Sequence, residues 1–145
     1  MLWNSSYKTG IDEIDKQNNE LINNIVTIMY SANNRTRLMQ FEIFEELVKK
    51  YFEREQKLHI DCCYSDAYRH RIAHEVYIKK LQITKRNFEK TGATLENELI
   101  LRTNMIEVHK NHIMCYDKSF AYFYFNNLSC ENIVPNEIVY TVAAI

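Results

Sequence analysis

The sequence has very little proline and glycine, with one Pro and two Gly among 145 residues. These two residue types most often end helices and form tight turns, so a chain that nearly lacks them should contain few hairpins and long uninterrupted helices. The all-α class is therefore the expectation. The length suits one domain with a substantial core.

Other absences narrow the classes of function. No apolar run reaches the roughly 20 residues that a membrane span needs, and the N-terminus lacks the basic and then apolar segments of a signal peptide. The charge is nearly balanced, with 18 basic and 19 acidic residues, and no basic run alternates with aromatic residues. The sequence therefore predicts a soluble cytoplasmic protein with no membrane partner and no nucleic acid partner.

The four cysteines do not form a recognisable site. Cys62, Cys63, Cys115 and Cys130 show no Cys-x-x-Cys spacing, and the adjacent pair is poorly placed to form a disulfide with itself. Reduced thiols in a cytoplasmic protein are the expectation. The chain is rich in aromatic residues, with 10 Tyr and 7 Phe, and these more often fill a core than line a cofactor site.

Apolar residues at helical spacing predict four amphipathic helices after an irregular arm of about 12 residues. Short polar loops between the helices favour an antiparallel up-and-down four-helix bundle in a single domain over residues 1–145, with the bundle at about 12–125. The segment 128–145, a short C-terminal extension, is left unassigned. The predicted helices start near Asp12 or Glu13, run from about Arg37 to His59 or Ile60, from the N-cap Asp66 to about Glu89, and from Thr94 to about Phe125.

A histidine pair lies on the predicted inward face of the third helix. His70 and His74 are four residues apart, so their imidazoles project from one face about one turn apart and could reach one metal ion. A zinc peptidase would need a glutamate directly after the first histidine, where this chain has Arg71. No nucleophile with an adjacent base is visible either, so the protein is not expected to be an enzyme.

The other predicted helices also turn polar residues inward. Asn18 and Glu55 fall within apolar stripes, and a buried carboxylate must be paired, protonated or bound to a metal. His112 and Asp117 are five residues apart, about 140° on a regular helix, so they face one centre only if the helix contains a π-type bulge. Leu99 is predicted to point inward on the same helix.

Five residues thus form the candidate metal site: Glu55, His70, His74, His112 and Asp117. Three imidazoles and two carboxylates suit borderline metals such as iron, zinc or manganese. Paired Glu-x-x-His motifs are absent, which argues against a ferritin-like di-iron site.

Four stretches resemble the hemerythrin and bacteriohemerythrin family, and together they span about residues 3–120. The family consists of four-helix bundles that bind oxygen at a non-haem di-iron centre. The stretches are Trp3 followed by Gly10-Ile11-Asp12-Glu13-Ile14-Asp15-Lys16-Gln17, then Tyr51-Phe52-Glu53-Arg54-Glu55-Gln56-Lys57-Leu58, His70-x-x-x-His74, and His112-Ile113-x-x-x-Asp117. The five-residue interval in the last stretch is part of the family pattern.

The resemblance implies that His70, His74 and His112 ligate one iron while Glu55 and Asp117 bridge to a second. The family holds that second iron with two further histidines. This chain has Asn18 and Tyr51 at those two positions. One iron is therefore favoured over two, with zinc as an alternative metal.

Three interpretations follow from these departures. The first is a hemerythrin-like iron protein that binds or senses dioxygen or another diatomic ligand at a modified site. The second is a mononuclear iron or zinc module for redox or sensing, without reversible oxygen binding, and the third is a metal-free interaction domain. His59, one turn after Glu55, is either a ligand for a displaced second metal or a core residue, and His109 is expected on the surface or beside the site.

Overall fold

The computed structural model describes residues 3–128, and this part of the chain forms the predicted antiparallel four-helix bundle. A short 3₁₀ turn, Ser5–Tyr7, lies in the N-terminal arm. The main helices are α1 (Asp12–Met29), α2 (Asn34–Asp61), α3 (Ala67–Thr91) and α4 (residues 95–128). Loops of three to five residues join them, so each helix packs antiparallel against the next, and α4 returns to α1.

The helix boundaries differ slightly from the predicted ones because side-chain caps lie closer to the loops. The side chain of Asn33 accepts a hydrogen bond from the backbone of Thr36, so α2 starts three residues earlier than expected. Thr94 caps α4 in the same way, through the backbone N–H of Asn97. Asp66 precedes α3 as predicted, but its side chain makes no capping hydrogen bond.

Helix α4 is not a regular α-helix along its length. It contains the predicted π-type segment, Ile113–Asp117, and a second one, Arg102–Glu107, which the sequence did not indicate. Three α-helical segments separate and flank them: Leu95–Leu101, Val108–His112 and Lys118–Leu128.

A layer of buried polar side chains crosses the bundle between two apolar clusters. The larger cluster includes Leu21, Phe44, Phe52, Leu81 and Met105. The smaller cluster, near the α2–α3 loop, is formed by Ile11, Ile14, Tyr64, Phe120 and Ala121. The polar layer between them consists of Asn18, Glu55, His59, His70, His74, His109, His112 and Asp117. Apolar packing on both sides thus shields this layer from water.

The predicted inward position of Leu99 is wrong, since its side chain is 58% exposed. Asn97 and Leu101 occupy the inward positions of this first segment of α4, at 4% and 0% exposure. A residue two positions from each of them lies about 200° around a regular helix, so Leu99 must face outward.

Two predictions concern residues that the structure does not describe. They are the unassigned C-terminal extension from residue 129 onward and the reduced state of Cys130. Cys62, Cys63 and Cys115 form no disulfide with one another. Within residues 3–128, none of the helices combines the length and the apolar character needed to cross a membrane.

Candidate metal centre

Helix α2 places three polar side chains at successive turns of its inward face. Tyr51, Glu55 and His59 are each four residues apart, so they line up along the bundle axis. Helix α3 runs antiparallel to α2 and brings His70 and His74 against this row. All five side chains are buried, and Glu55 lies at the centre of the row.

The π-type segment of α4 places its two candidate residues together. His112 and Asp117 are 3% and 0% exposed, although a regular helix would turn them about 140° apart. The segment Ile113–Asp117 adds the extra residue to the turn, so both side chains point into the polar layer. The bulge predicted from the His112–Asp117 spacing is confirmed.

The donor atoms of four residues converge on a small volume. Oε2 of Glu55 lies 3.1 Å from Nε2 of His74, 3.6 Å from Nε2 of His70 and 3.9 Å from Nε2 of His112. The nitrogens Nε2 of His70 and His112 are 3.2 Å apart. All donor atoms of this group, Glu55, His70, His74 and His112, lie within 4.8 Å of one another.

Asp117 lies against one side of this group. Its Oδ1 atom is 3.0 Å from Nε2 of His112 and 3.3 Å from Nε2 of His70. Its other oxygen, Oδ2, accepts a hydrogen bond of 2.7 Å from the amide of Asn18. The structure therefore brings all five predicted site residues together, with Asp117 at the edge of the group.

The charges of the layer compensate one another. Burial by itself would lower the pKa of His112, but the adjacent charge of Asp117 and a contact with Glu55 raise that pKa to about 10. Burial would raise the pKa of Asp117, yet the charge of His112 holds it well below its usual range. The pKa of Glu55 is lowered as well, because contacts with His112 and His74 outweigh burial and the Asp117 charge.

Three other imidazoles of the layer, those of His59, His74 and His109, are held neutral. Burial lowers the pKa of His74 to about 4, although Glu55 partly opposes the shift. Burial, assisted by nearby His70, lowers the pKa of His59 to about 3. Burial also lowers the pKa of His109 to about 4. Neutral imidazole is the form that binds metal ions.

The donor set fits a metal ion of borderline softness. The Nε2 atoms of His70 and His112 are 3.2 Å apart, so only one of them can carry a proton in the space between the two rings. The other nitrogen directs its lone pair into that space. The two carboxylates add negative charge to a region that is buried from solvent. Imidazole and carboxylate donors together suit iron, zinc or manganese rather than calcium or copper(I).

The two positions at which the hemerythrin pattern has histidines, Asn18 and Tyr51, form hydrogen bonds with other side chains. Asn18 points inward as predicted, and its amide donates to Asp117. The hydroxyl of Tyr51 donates to Glu20 on α1. Burial and this contact raise the pKa of Tyr51 to about 12, so the phenolate form that iron would need is disfavoured.

Two expectations about the other histidines can be compared with the structure. Of the two positions expected for His109, the one beside the site is the one found and the surface position is wrong, because this residue is fully buried, with Nδ1 3.1 Å from the hydroxyl of Tyr77. His59 is also buried, between the rings of His70 and Phe120, and its role stays a prediction.

Two contacts around the ligand-type residues were not foreseen. Gln56 lies 3.2 Å from Nδ1 of His74, and the ring of Phe52 stacks on His74 with centroids 3.8 Å apart. Both residues belong to the stretch Tyr51–Leu58 that carried the resemblance. Because Gln56 directly follows Glu55 in the sequence, a helical-wheel projection of α2 could have indicated that Gln56 lies on the side facing α3.

Comparison with known proteins gives one curated relative. The chain is 27% identical over 124 residues to a protein named bacteriohemerythrin from Stenotrophomonas maltophilia (strain R551-3). The aligned region covers 83% of this chain and 79% of that protein. No protein-family model and no solved structure matches the chain. The resemblance stated from the motifs is confirmed, and the helical fold with its buried histidine and glutamate group fits a hemerythrin-like family.

The neutral histidines predict that the metal-free protein loses stability in mild acid. His59, His74 and His109 stay neutral in the fold, whereas the unfolded chain protonates them below about pH 6.5. Stability therefore falls from about pH 6.5 to about pH 4, and each histidine contributes on the order of 1–2 kcal/mol by pH 5. Urea unfolding of the metal-free protein at pH 7 and pH 5 measures the loss.

The raised pKa of His112 does not change this expectation. Its stabilising contribution is complete below pH 6.5 and is lost only as the pH rises toward about 10. Replacing His109 with Leu should make the loss between pH 7 and pH 5 smaller. Equal stability of the original protein at the two pH values would contradict the assignment of neutral buried histidines.

Proposed function

We propose that this protein is a hemerythrin-like non-haem iron protein that holds one iron ion and binds dioxygen or another diatomic ligand there. The observation that supports it most strongly is the convergence of Glu55, His70, His74 and His112, whose donor atoms lie within 4.8 Å of one another in a buried layer. Asp117 adds a second carboxylate at the edge of this group. When bound, iron would supply a redox-active centre with a coordination position for a small ligand.

The ligands and charges of the site favour one ion over two. One divalent ion balances the two carboxylates, Glu55 and Asp117, once His112 has given up its proton. A second divalent ion would need further ligands to offset the cost of removing it from water, in a layer whose side chains are at most 3% exposed. The residues that would hold it, Asn18 and Tyr51, instead bond to Asp117 and Glu20.

A surface pocket reaches the site between α3 and α4. Its volume is about 390 Å³, and His112 contributes to its wall. Much of the remaining wall is apolar, which suits the passage of a small uncharged molecule. The residues that form this side of the pocket are Ile72, Ala73, Val76, Tyr77, Val108 and Tyr116. We infer that a diatomic ligand approaches the site by this route.

Gas binding by the iron-loaded protein tests the proposal. After loading with Fe(II) without oxygen, the protein should show a change in absorption on addition of dioxygen or nitric oxide. His74→Ala removes a ligand and should weaken iron binding by more than the roughly 10–100-fold that loss of a residue supporting a ligand costs. His109→Ala, which removes a buried imidazole outside the group, is the matched control and should retain iron.

The outcomes separate the three interpretations. Iron retention without a spectral change with either gas would contradict the gas-binding part and favour a mononuclear redox or sensor module. Failure to retain iron or zinc would contradict the metal site and leave an interaction domain. Equal losses of iron in His74→Ala and His109→Ala would show that the effect comes from folding rather than from ligation.

The second prediction concerns the number of ions. Asn18→His together with Tyr51→His restores the two imidazoles that the resemblance places around a second iron. The double variant should bind two irons per chain where the original protein binds one, as measured by metal analysis after anaerobic loading. Tyr51→Phe is the control and should still bind one, because the Tyr51 hydroxyl is bonded to Glu20. Two irons in the original protein, or one in the double variant, would count against this account of the two positions.

A further inference from the structure

Helix α2 supports one of the α3 histidines from the side opposite to the site. Nε2 of His74 faces Glu55, and its Nδ1 atom lies 3.2 Å from the side-chain amide of Gln56. An amide offers either its N–H or, after rotation, its carbonyl oxygen, so Gln56 can pair with this nitrogen in either protonation state. Histidines that ligate metals generally have such a partner on the second ring nitrogen.

His70, one turn earlier on α3, has no comparable partner. Its Nε2 atom faces Glu55, Asp117 and His112. Its Nδ1 atom is buried and has no hydrogen-bond partner among the described residues. If Nε2 serves as a ligand, Nδ1 must carry the proton, and a buried N–H without an acceptor costs about 1–3 kcal/mol.

His59 lies where such an acceptor is needed. His59 follows Gln56 by three residues on α2, and His70 precedes His74 by four residues on α3. Because the two helices are antiparallel, His59 lies beside His70 where Gln56 lies beside His74. The ring centres of His59 and His70 are 4.4 Å apart, and both nitrogens of His59 are buried with no hydrogen-bond partner within residues 3–128. Rotation of the rings about their Cβ–Cγ bonds, with a small separation of the two ring centres, would turn Nδ1 of His70 toward a nitrogen of His59.

The geometry points to His59 as the residue that positions His70, accepting a hydrogen bond from its Nδ1–H when Nε2 serves as a metal ligand. This inference rests on the proposed metal site. The pairs Gln56–His74 and His59–His70 would then fix both imidazoles of α3 from α2, and they would set the tautomer that leaves each Nε2 free to bind. Direct ligation by His59 is not the arrangement found, because His59 is not among the residues of the described chain whose donor atoms converge.

Co(II) is the probe for this role because its absorption in the visible range reports the ligands, while a titration reports affinity. His59→Leu replaces the imidazole with an apolar side chain and should weaken Co(II) binding about 10–100-fold. The spectrum at saturation should match that of the original protein, because the ligands are the same. His59→Gln, which provides an amide as Gln56 does, should restore most of the affinity. His109→Leu is the matched control and should bind Co(II) nearly as tightly as the original protein.

Each alternative outcome overturns the assignment. Unchanged affinity in His59→Leu would show that His70 needs no support from this residue. A different spectrum at saturation would show that His59 is itself a ligand, and an equal loss in His109→Leu would trace the effect to general destabilisation. Absence of Co(II) binding by the original protein would instead overturn the metal site and this role with it.

Discussion

The mutual compensation of buried charges governs this structure. Two carboxylates, Glu55 and Asp117, lie inside a helical bundle, where an unpaired charge would cost several kcal/mol. In the metal-free protein they are balanced by hydrogen bonds and by a proton on His112, whose pKa is raised to about 10. The apolar clusters on both sides make this compensation necessary, because they exclude the water that would otherwise solvate the carboxylates. A metal ion could replace the proton without changing the position of the layer in the fold.

The same constraint accounts for the irregular backbone of α4 and for the hydrogen bonds of Asn18 and Tyr51. The π-type segment Ile113–Asp117 lets one helix contribute both an imidazole and a carboxylate to the layer. Asn18 donates a hydrogen bond to Asp117 and so satisfies one oxygen of this buried carboxylate. Tyr51 is satisfied by Glu20.

Much of this could be predicted from residue spacing. The helical periodicity predicted four helices and the inward position of Asn18, and the interval from His112 to Asp117 predicted a π-type bulge. Spacing could not place Leu99 correctly, because the inward face of the first segment of α4 depends on packing against other helices. The sequence left open whether His109 lies on the surface or beside the site, and it missed the pairing of Gln56 with His74, since a contact between helices depends on their relative rotation. The roles of Tyr51 and His59 likewise required their neighbours in space.

Similarity to bacteriohemerythrin and the converging donors agree on a metal-binding bundle, while the altered positions bear on how many ions it holds. The most direct test is an anaerobic titration of the metal-free protein with Fe(II), in which bound iron is measured against protein concentration. The account predicts a single break at one iron per chain. A break at two irons per chain, or no saturable binding, would contradict it.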